Sequence, residues 1–594
     1  MKRMWFPLKE TEKAQKGTAH SFLKGAAVLT AGVLAVKVMG AVFKIPLNWI
    51  IGEDGMGYFT TAYSFYSPIY SLATAGFPIA ISRMVAVCQA KGRYRDIRQI
   101  HRVSIPVFLF MGVLGFLTMI LGAGWYVRAM GNENAWPAMM ALAPAILFSC
   151  LSAIYRGYYE GLRNMVPTAL SEILEALCRL VLGLGVSGWI LYRGMEEYGI
   201  SGKVLGKAVY DQSEARAQLL PWAAAGAIAG VTAGSVVSFL FLLIRHRTRG
   251  DGIGKRELAQ SPPPKTPFGT AVTLLKTAAP IGLGAVAVNL SGLVDATFLQ
   301  SRIREILSTQ GMALVSQYQG MIPEYNLQNP QTIPNFLFGC YANAHTLFML
   351  IPALTQALGI SALPSVAAAW SCASQRRLQK SVESVLCMTA VCSLPAGIGM
   401  AVLAEPIVGL LYGSRAAAPI VARLLPLMAA GAVFASASTP LQSMLQAVGR
   451  ADIPVKLLGV GLLVKTALTC WLTGIPQWNI AGAAVGTLAC YLLIMVGAFV
   501  SLCRVSKVKP RMGKVLFRPL AAAALCGAGA YFAQRLGNSF FPGRKWVVLI
   551  SIGCGAVLYG AALFGLGVLQ QEEAARIPGG QKILKILEKS KGIE

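Results

Sequence analysis

Phe22-Leu-Lys-Gly-Ala-Ala27 opens one long apolar stretch, and Leu274-Leu-Lys-Thr-Ala-Ala279 opens another far downstream. Three further echoes follow in the same order. Gly76-Phe-Pro-Ile-Ala-Ile-Ser82 is answered by Ser361-Ala-Leu-Pro-Ser-Val-Ala367. Gly161-Leu-Arg-Asn-Met-Val-Pro167 is answered by Val448-Gly-Arg-Ala-Asp-Ile-Pro454, and Ala225-Gly-Ala-Ile-Ala-Gly230 by Ala481-Gly-Ala-Ala-Val-Gly486. Small apolar residues recur in any membrane helix, so the weight lies in the shared order and in a constant separation of six apolar segments. Six is even, so both copies share one orientation. That predicts two six-helix lobes related by a pseudo-two-fold axis along the membrane normal, with a site at their interface near mid-membrane.

The composition supports a membrane reading. Of 594 residues, 55% are hydrophobic and only 13% charged, where an ordinary soluble domain carries about 25% charged residues. Mean hydropathy is +0.58. At roughly 20 apolar residues per span, the chain holds about 14 spans, expected at 22–47, 58–83, 103–127, 134–155, 168–192, 219–244, 268–299, 339–369, 381–404, 416–445, 455–474, 479–503, 515–535 and 546–569. The fold class is therefore an all-α membrane protein: a first lobe over 1–266, a second over 267–505, and two extra helices with a tail over 506–594.

Charge fixes the expected direction of insertion. With both termini cytoplasmic, the inner segments hold 33 of the 53 Lys and Arg residues and the outer loops hold 10, as the positive-inside rule requires. No cleavable signal precedes the first span, and the basic residues Lys2, Arg3, Lys9, Lys13 and Lys16 read as a retained cytoplasmic tail. The net charge of +28 alternates along the chain instead of gathering on one domain, which argues against nucleic acid as a partner. The cysteines are scattered singly, without a CxxC pair, and read as small buried hydrophobes. No HExxH, Walker or dinucleotide motif is present, and six scattered aspartates suggest neither a catalytic pair nor a metal site, so an enzyme is not expected. Gln581–Lys591 is a short basic amphipathic stretch, either a solvated helix or a segment lying on the anionic inner leaflet.

Ionisable side chains inside the bilayer are costly and are candidate functional groups. Lys37 and Lys44 share one face of span 1 with no acid one turn away. Arg83 closes span 2. Glu172, Glu175 and Arg179 share one face of span 5, span 7 carries Asp295, span 8 carries His345, and span 11 carries Lys465. Under the repeat, Arg179 and Lys465 fall at nearly matching places. This set reads as a cationic cavity for a phosphate or diphosphate. Lys24 and Lys276 sit at span starts and read as interfacial.

Three stretches carry a family resemblance: Gly52-Glu-Asp-Gly-Met-Gly-Tyr58, Ala75-Gly-Phe-Pro-Ile-Ala-Ile-Ser-Arg83, and Tyr155-Arg-Gly-Tyr-Tyr-Glu-Gly-Leu-Arg-Asn-Met-Val-Pro-Thr168. They resemble the polysaccharide-biosynthesis flippases of Gram-positive bacteria, the stage V sporulation protein B and MurJ type, within the multidrug/oligosaccharidyl-lipid/polysaccharide exporter superfamily. The likeness runs over nearly the whole chain. It implies export of an undecaprenyl-diphosphate-linked saccharide, most directly lipid II, across the bacterial plasma membrane by alternating access. It also implies that Lys37, Lys44 and a basic residue at His345 face the cavity, helped by Arg83, and that spans 13 and 14 form a groove for the lipid tail. Where the Gram-negative pattern has an acid and two arginines in span 2, this chain has Gly57, Tyr70 and Ser71. Membrane lipids and cell-wall synthesis proteins are the implied partners. No cofactor is expected; a monovalent cation or a proton could drive the cycle through Asp295 or Glu175. The rival reading is a cation-coupled multidrug exporter of the same superfamily, which wants buried carboxylates. A membrane-embedded enzyme or a scaffold fits less well.

Overall fold

The computed structural model describes residues 8–74, 76–371, 374–413 and 417–568, with side chains almost wholly from residue 35 onward. The amphipathic tail, the N-terminal basic residues and the Lys24 side chain lie outside that range. Among the described residues the protein is helical apart from loops and one two-stranded hairpin. It is an all-α membrane protein. Thirteen helical stretches are long and apolar enough to cross a membrane. The first runs through Gly52, whose non-helical backbone (φ 66°, ψ −169°) divides one continuous stretch into two helices. That stretch, Ala35–Ala90, is 56 residues long, enough for two spans. Exposed tryptophans mark where spans end. Trp49, Trp125, Trp136, Trp189, Trp222, Trp471, Trp478 and Trp546 are all exposed near span ends.

The chain divides into two compact units, residues 1–343 with 469–480, and 344–468 with 481–594. In chain order the first holds α1 (Leu8–Thr74), α2 (Gly76–Ala90), α3 (Tyr94–Met130), α4 (Trp136–Gly161), α5 (Val166–Ser201), α6 (Gln212–Arg249), α7 (Lys255–Gln260), α8 (Pro267–Val294), α9 (Gln300–Gln317), α10 (Glu324–Gln328) and the start of α11 (Ile333–Phe348). A hairpin, Lys203–Val204 with Lys207–Ala208, joins α5 to α6. The second unit continues with α12 (Leu350–Ser371), α13 (Gln375–Val402), α14 (Ala404–Tyr412), α15 (Ala418–Ala447), α16 (Asp452–Thr473), α17 (Ile480–Ser506), α18 (Arg518–Phe540) and α19 (Trp546–Gly565). The helices α18 and α19 pack on each other and on α13. Tyr559 donates to the Val391 carbonyl at 2.7 Å, and a Cβ at Gly529 would lie 2.1 Å from Leu558.

Glycines set the helix crossings of the first unit. A Cβ at Gly157 would lie 2.6 Å from the Pro78 carbonyl oxygen, and one at Gly161 would lie 2.8 Å from that of Ser82. Two of the quoted motifs therefore interlock, α2 lying directly on α4. On α6, Gly226, Gly230 and Gly234 form a four-residue repeat; a Cβ at Gly230 would lie 2.3 Å from the Gly183 nitrogen and one at Gly234 would lie 2.6 Å from the Glu175 carbonyl. Small residues at this spacing let α5 and α6 approach closely in lipid. The break at Gly52 leads into a third crossing, where a Cβ at Gly339 would lie 1.8 Å from the Glu53 carbonyl and one at Gly57 would lie 2.4 Å from that of Asn335.

The loop joining α6 to α8 is strapped onto the first turns of α3. Asp251 accepts from Arg98 at 3.0 and 3.3 Å, from the Tyr158 hydroxyl at 3.1 Å and from the Ile253 amide at 3.1 Å. Asp96 accepts from the Lys265 amide at 2.8 Å, and Arg95 donates to the Leu258 carbonyl at 3.0 Å. Beside the strap, His101 of α3 and His246 of α6 stack with ring centroids 4.7 Å apart. Burial alone would raise the Asp251 carboxyl, but the bond from Arg98, the Ile253 amide and the Tyr158 hydroxyl hold it below the usual carboxylate range. A depressed carboxylate stabilises the fold above its unfolded pKa and loses that contribution as pH falls through the folded value. A charge-assisted bond of this kind contributes about 1.5 kcal/mol, so Arg98→Ala should speed amide exchange over residues 250–266 by about tenfold at neutral pH. The unchanged protein should show the same loosening only in acid, below about pH 4; equal protection in both proteins at neutral pH would show that the strap is held elsewhere.

Candidate functional site

The first unit encloses a polar cavity of about 530 Å³. Its walls come from five segments, and each contributes for a local reason. The second half of α1 supplies Tyr63, Tyr66 and Tyr70 with Ser67, Ser71 and Thr74, a face repeating at three and four residues. Helix α4 supplies Ser149, Arg156 and Glu160; α5 supplies Glu172, Glu175 and Arg179; α8 supplies Asn289; and α2 contributes Pro78. Because Gly157 and Gly161 are pressed against α2, the neighbouring positions 156 and 160 are turned toward the cavity.

Glu175 is the centre of the charge arrangement. It meets Arg156 at 2.8 Å and stands 3.8 Å from Arg179, and the three side chains are 16%, 16% and 27% exposed in the order Glu175, Arg156 and Arg179. Arg156 also donates from Nε to Ser171 at 3.0 Å and from Nη2 to Ser238 at 2.8 Å. The Nε of Arg179 is buried without a hydrogen-bond partner among the described residues. Lys44, half-buried on α1, is set near Arg179, because the adjacent Phe43 packs on Gly183, one turn from Arg179 on α5. Phe43 beside it is buried against Gly183, whose added Cβ would lie 2.9 Å from the Phe43 ring. From Phe43 a chain of rings runs along the cavity wall: Phe43–Phe59 at 6.0 Å, Phe59–Tyr63 at 4.9 Å, Tyr63–Tyr66 at 5.9 Å and Tyr66–Tyr70 at 5.1 Å.

Comparisons with known proteins bear on the fold of the chain. A family model described as polysaccharide biosynthesis protein matches residues 22–196, and the MatE model matches residues 339–472. The membrane protein YabM of Bacillus subtilis is 24% identical over 96% of this chain and 97% of its own. Stage V sporulation protein B of the same organism is 24% identical over 94% and 98%, and its lipid II flippase MurJ is 22% identical over 94% and 98%. Among solved structures, the lipid II flippase MurJ in an inward closed conformation superposes with a TM-score of 0.59 at 13% identity, covering 91% of this chain and 97% of that one. An inward-facing multidrug-resistance MATE transporter of the MOP superfamily gives 0.57 at 15% identity, covering 81% and 94%. The chain shares the fold of these two transporters, and separate segments of it match the polysaccharide biosynthesis protein and MatE models. It stands among transporters and flippases rather than enzymes.

The structure gathers Lys44, Glu175 and Arg179 in one place, with Lys37 two turns earlier on α1 and half-buried. Tyr70 and Ser71 line the cavity, whereas Gly57 serves the crossing with Asn335. Arg83 is exposed on α2. Asp295 is buried in a π-helical turn, where Tyr341 donates to it at 2.9 Å. His345 and Lys465 belong to the second unit. His345 is half-buried and stacks on Phe348 at 5.3 Å, and Lys465 is 2% exposed.

Arg156 and Glu160 are site residues that the span boundaries concealed. Ending span 4 at 155 left both in an inner loop, but α4 continues to Gly161. The signal was present in the motif, because Gly157 and Gly161 at one-turn spacing mark a helix packed on another helix, not a loop. Removing Arg156 leaves Glu175 buried beside a guanidinium 3.8 Å away. Breaking a buried pair from one side costs about 3–5 kcal/mol. Arg156→Leu should therefore lower the melting temperature of the purified protein markedly, while the double change Arg156→Leu with Glu175→Leu should recover most of it.

Proposed function

We propose that this chain carries an undecaprenyl-diphosphate-linked saccharide from the inner to the outer leaflet of the bacterial plasma membrane by alternating access, with both termini cytoplasmic. The observation that supports it most directly is the juxtaposition of Lys44 and Arg179. Two half-buried cations set near each other are costly, and the cost is offset when an anion bridges them with charge-assisted hydrogen bonds. A diphosphate does so, and Lys37 on the same face extends the cationic strip. Keeping the diphosphate in a polar site while the isoprenoid tail remains in lipid avoids transferring two charges through hydrocarbon. The MurJ relative makes lipid II the first substrate to test, and stage V sporulation protein B at similar identity keeps the class of lipid-linked saccharides as the broader reading. Cell-wall synthesis proteins are the partners that this function would serve.

A second reading rests on the three glutamates at the cavity, Glu160, Glu172 and Glu175, together with the MatE match. Buried carboxylates suit a cation-coupled exporter of lipophilic cations, and Glu175 or Asp295 would then exchange the driving ion. The two readings part in one comparison. In a strain depleted of its lipid II flippase, expression of the unchanged chain should restore growth and outer-leaflet exposure of lipid II. Lys44→Ala should abolish both at normal membrane levels, and Lys37→Ala should lower both. Full growth with Lys44→Ala would remove the assigned anion site, and proton- or sodium-driven uptake of lipophilic cations into vesicles, with no exposure of lipid II, would favour the exporter.

A further inference from the structure

We infer that the tyrosine wall of the first unit is the subsite for the saccharide of the headgroup, beside the cations Arg179 and Lys44 that would hold the diphosphate; the inference rests on the lipid-linked-saccharide reading above. Its chemistry follows from what the cavity offers. Tyr66 and Tyr70 stack at 5.1 Å with planes only 24° apart, and Tyr63 meets Tyr66 edge-on at 5.9 Å. Two of the rings are thus stacked and the third is set edge-on, a stiff aromatic cluster along one helix face. A pyranose ring has an apolar C–H face that lies against such rings, and hydroxyl or acetamido donors around its rim.

The rest of the lining is rich in acceptors. The hydroxyls of Ser67, Ser71 and Thr74 each donate to the backbone carbonyl four residues earlier at 2.7 Å. That commits their protons and leaves lone pairs for a ligand. Glu160 and Glu172 add carboxylates from α4 and α5, while Arg156 between these helices commits its Nε to Ser171 and its Nη2 to Glu175 and Ser238. The carboxylates and oxygen lone pairs accept from O–H and N–H groups. An isoprenoid tail has no donors to offer them. The cations Lys44 and Arg179 stand near Phe43, where the ring chain begins, so a headgroup anchored there by its phosphates reaches the tyrosines with its sugar.

The test uses the full-length protein in lipid nanodiscs and two probes, undecaprenyl diphosphate and the same lipid carrying an N-acetylated disaccharide. The unchanged protein should bind the sugar-bearing lipid about tenfold more tightly than the bare one. Tyr66→Leu with Tyr70→Leu should erase that tenfold preference and leave affinity for the bare diphosphate lipid unchanged. Tyr66→Phe with Tyr70→Phe, which keeps the rings, should retain most of the preference. Glu172→Gln, a change on another helix, should weaken the sugar-bearing lipid alone and serves if the leucine variant does not fold. Equal weakening of both lipids in the leucine and glutamine variants, or equal affinity of the unchanged protein for both lipids, overturns the subsite while leaving the transport reading in place. Failure of the unchanged protein to bind either lipid, with binding of a lipophilic cation instead, overturns the lipid-linked-saccharide reading itself.

Discussion

A carboxylate inside a bundle of apolar helices must be paired, and in the first unit that requirement falls on Glu175. Its contact to Arg156 at 2.8 Å fixes the facing of α4 against α5, and the approach of Gly234 to its backbone carbonyl fixes α6 behind it. Three helices thus share one electrostatic anchor. Everything that lines the cavity depends on this arrangement, because α4 contributes Arg156 and Glu160 only while it lies in that rotation. Arg156 also binds hydroxyls from α5 and α6, so the pair belongs to a network across three helices. Its looser member is Arg179, whose long contact to the same glutamate leaves its donors for something else.

Small residues are what allow such an anchor in lipid. Helices in a bilayer gain little from burying apolar surface against each other, since lipid tails are equally apolar, and association depends on close backbone approach and on polar contacts. The glycines at 157 and 161, and at 226, 230 and 234, supply the approach; Arg156, Glu175 and the serines supply the contacts. The motif beginning at Tyr155 is then one device with two faces. Its glycines bring α2 against α4, and its charged residues at 156 and 160 look into the cavity that this packing leaves.

Much of the architecture was legible in the sequence because the bilayer imposes it. Hydropathy predicted about fourteen spans, and the described residues hold thirteen apolar stretches, the first of them broken at Gly52. The break itself was harder to see, since the chain stays helical and apolar on both sides and only the backbone of one glycine departs. Lys44, Glu175 and Arg179 were legible as costly charges within apolar stretches. Arg156 and Glu160 were not, because hydropathy averages over a window and cannot separate a polar helix end that faces a cavity from a loop. The tyrosines were silent for a different reason: Tyr63, Tyr66 and Tyr70 are individually ordinary in a membrane helix, and their meaning lies in the facing of α1 toward α4, α5 and α8.

The arrangement also explains how one helical unit can hold opposite kinds of polarity without collapse. Carboxylates and the cations Arg156 and Arg179 line one chamber, joined through the carboxylate of Glu175. Drawing Arg179 fully onto Glu175 would commit its donors, and drawing it away would leave Glu175 to Arg156 alone, which already suffices for pairing at 2.8 Å. Arg179 is therefore the member that can change partners at low cost, because its departure strands no buried charge. A ligand anion arriving between Arg179 and Lys44 need only outcompete a contact of 3.8 Å and relieve the repulsion between two cations. The network that keeps the helices in place is thereby decoupled from the contacts that bind and release, and a carrier that must do both in every cycle has a physical reason to keep the two apart.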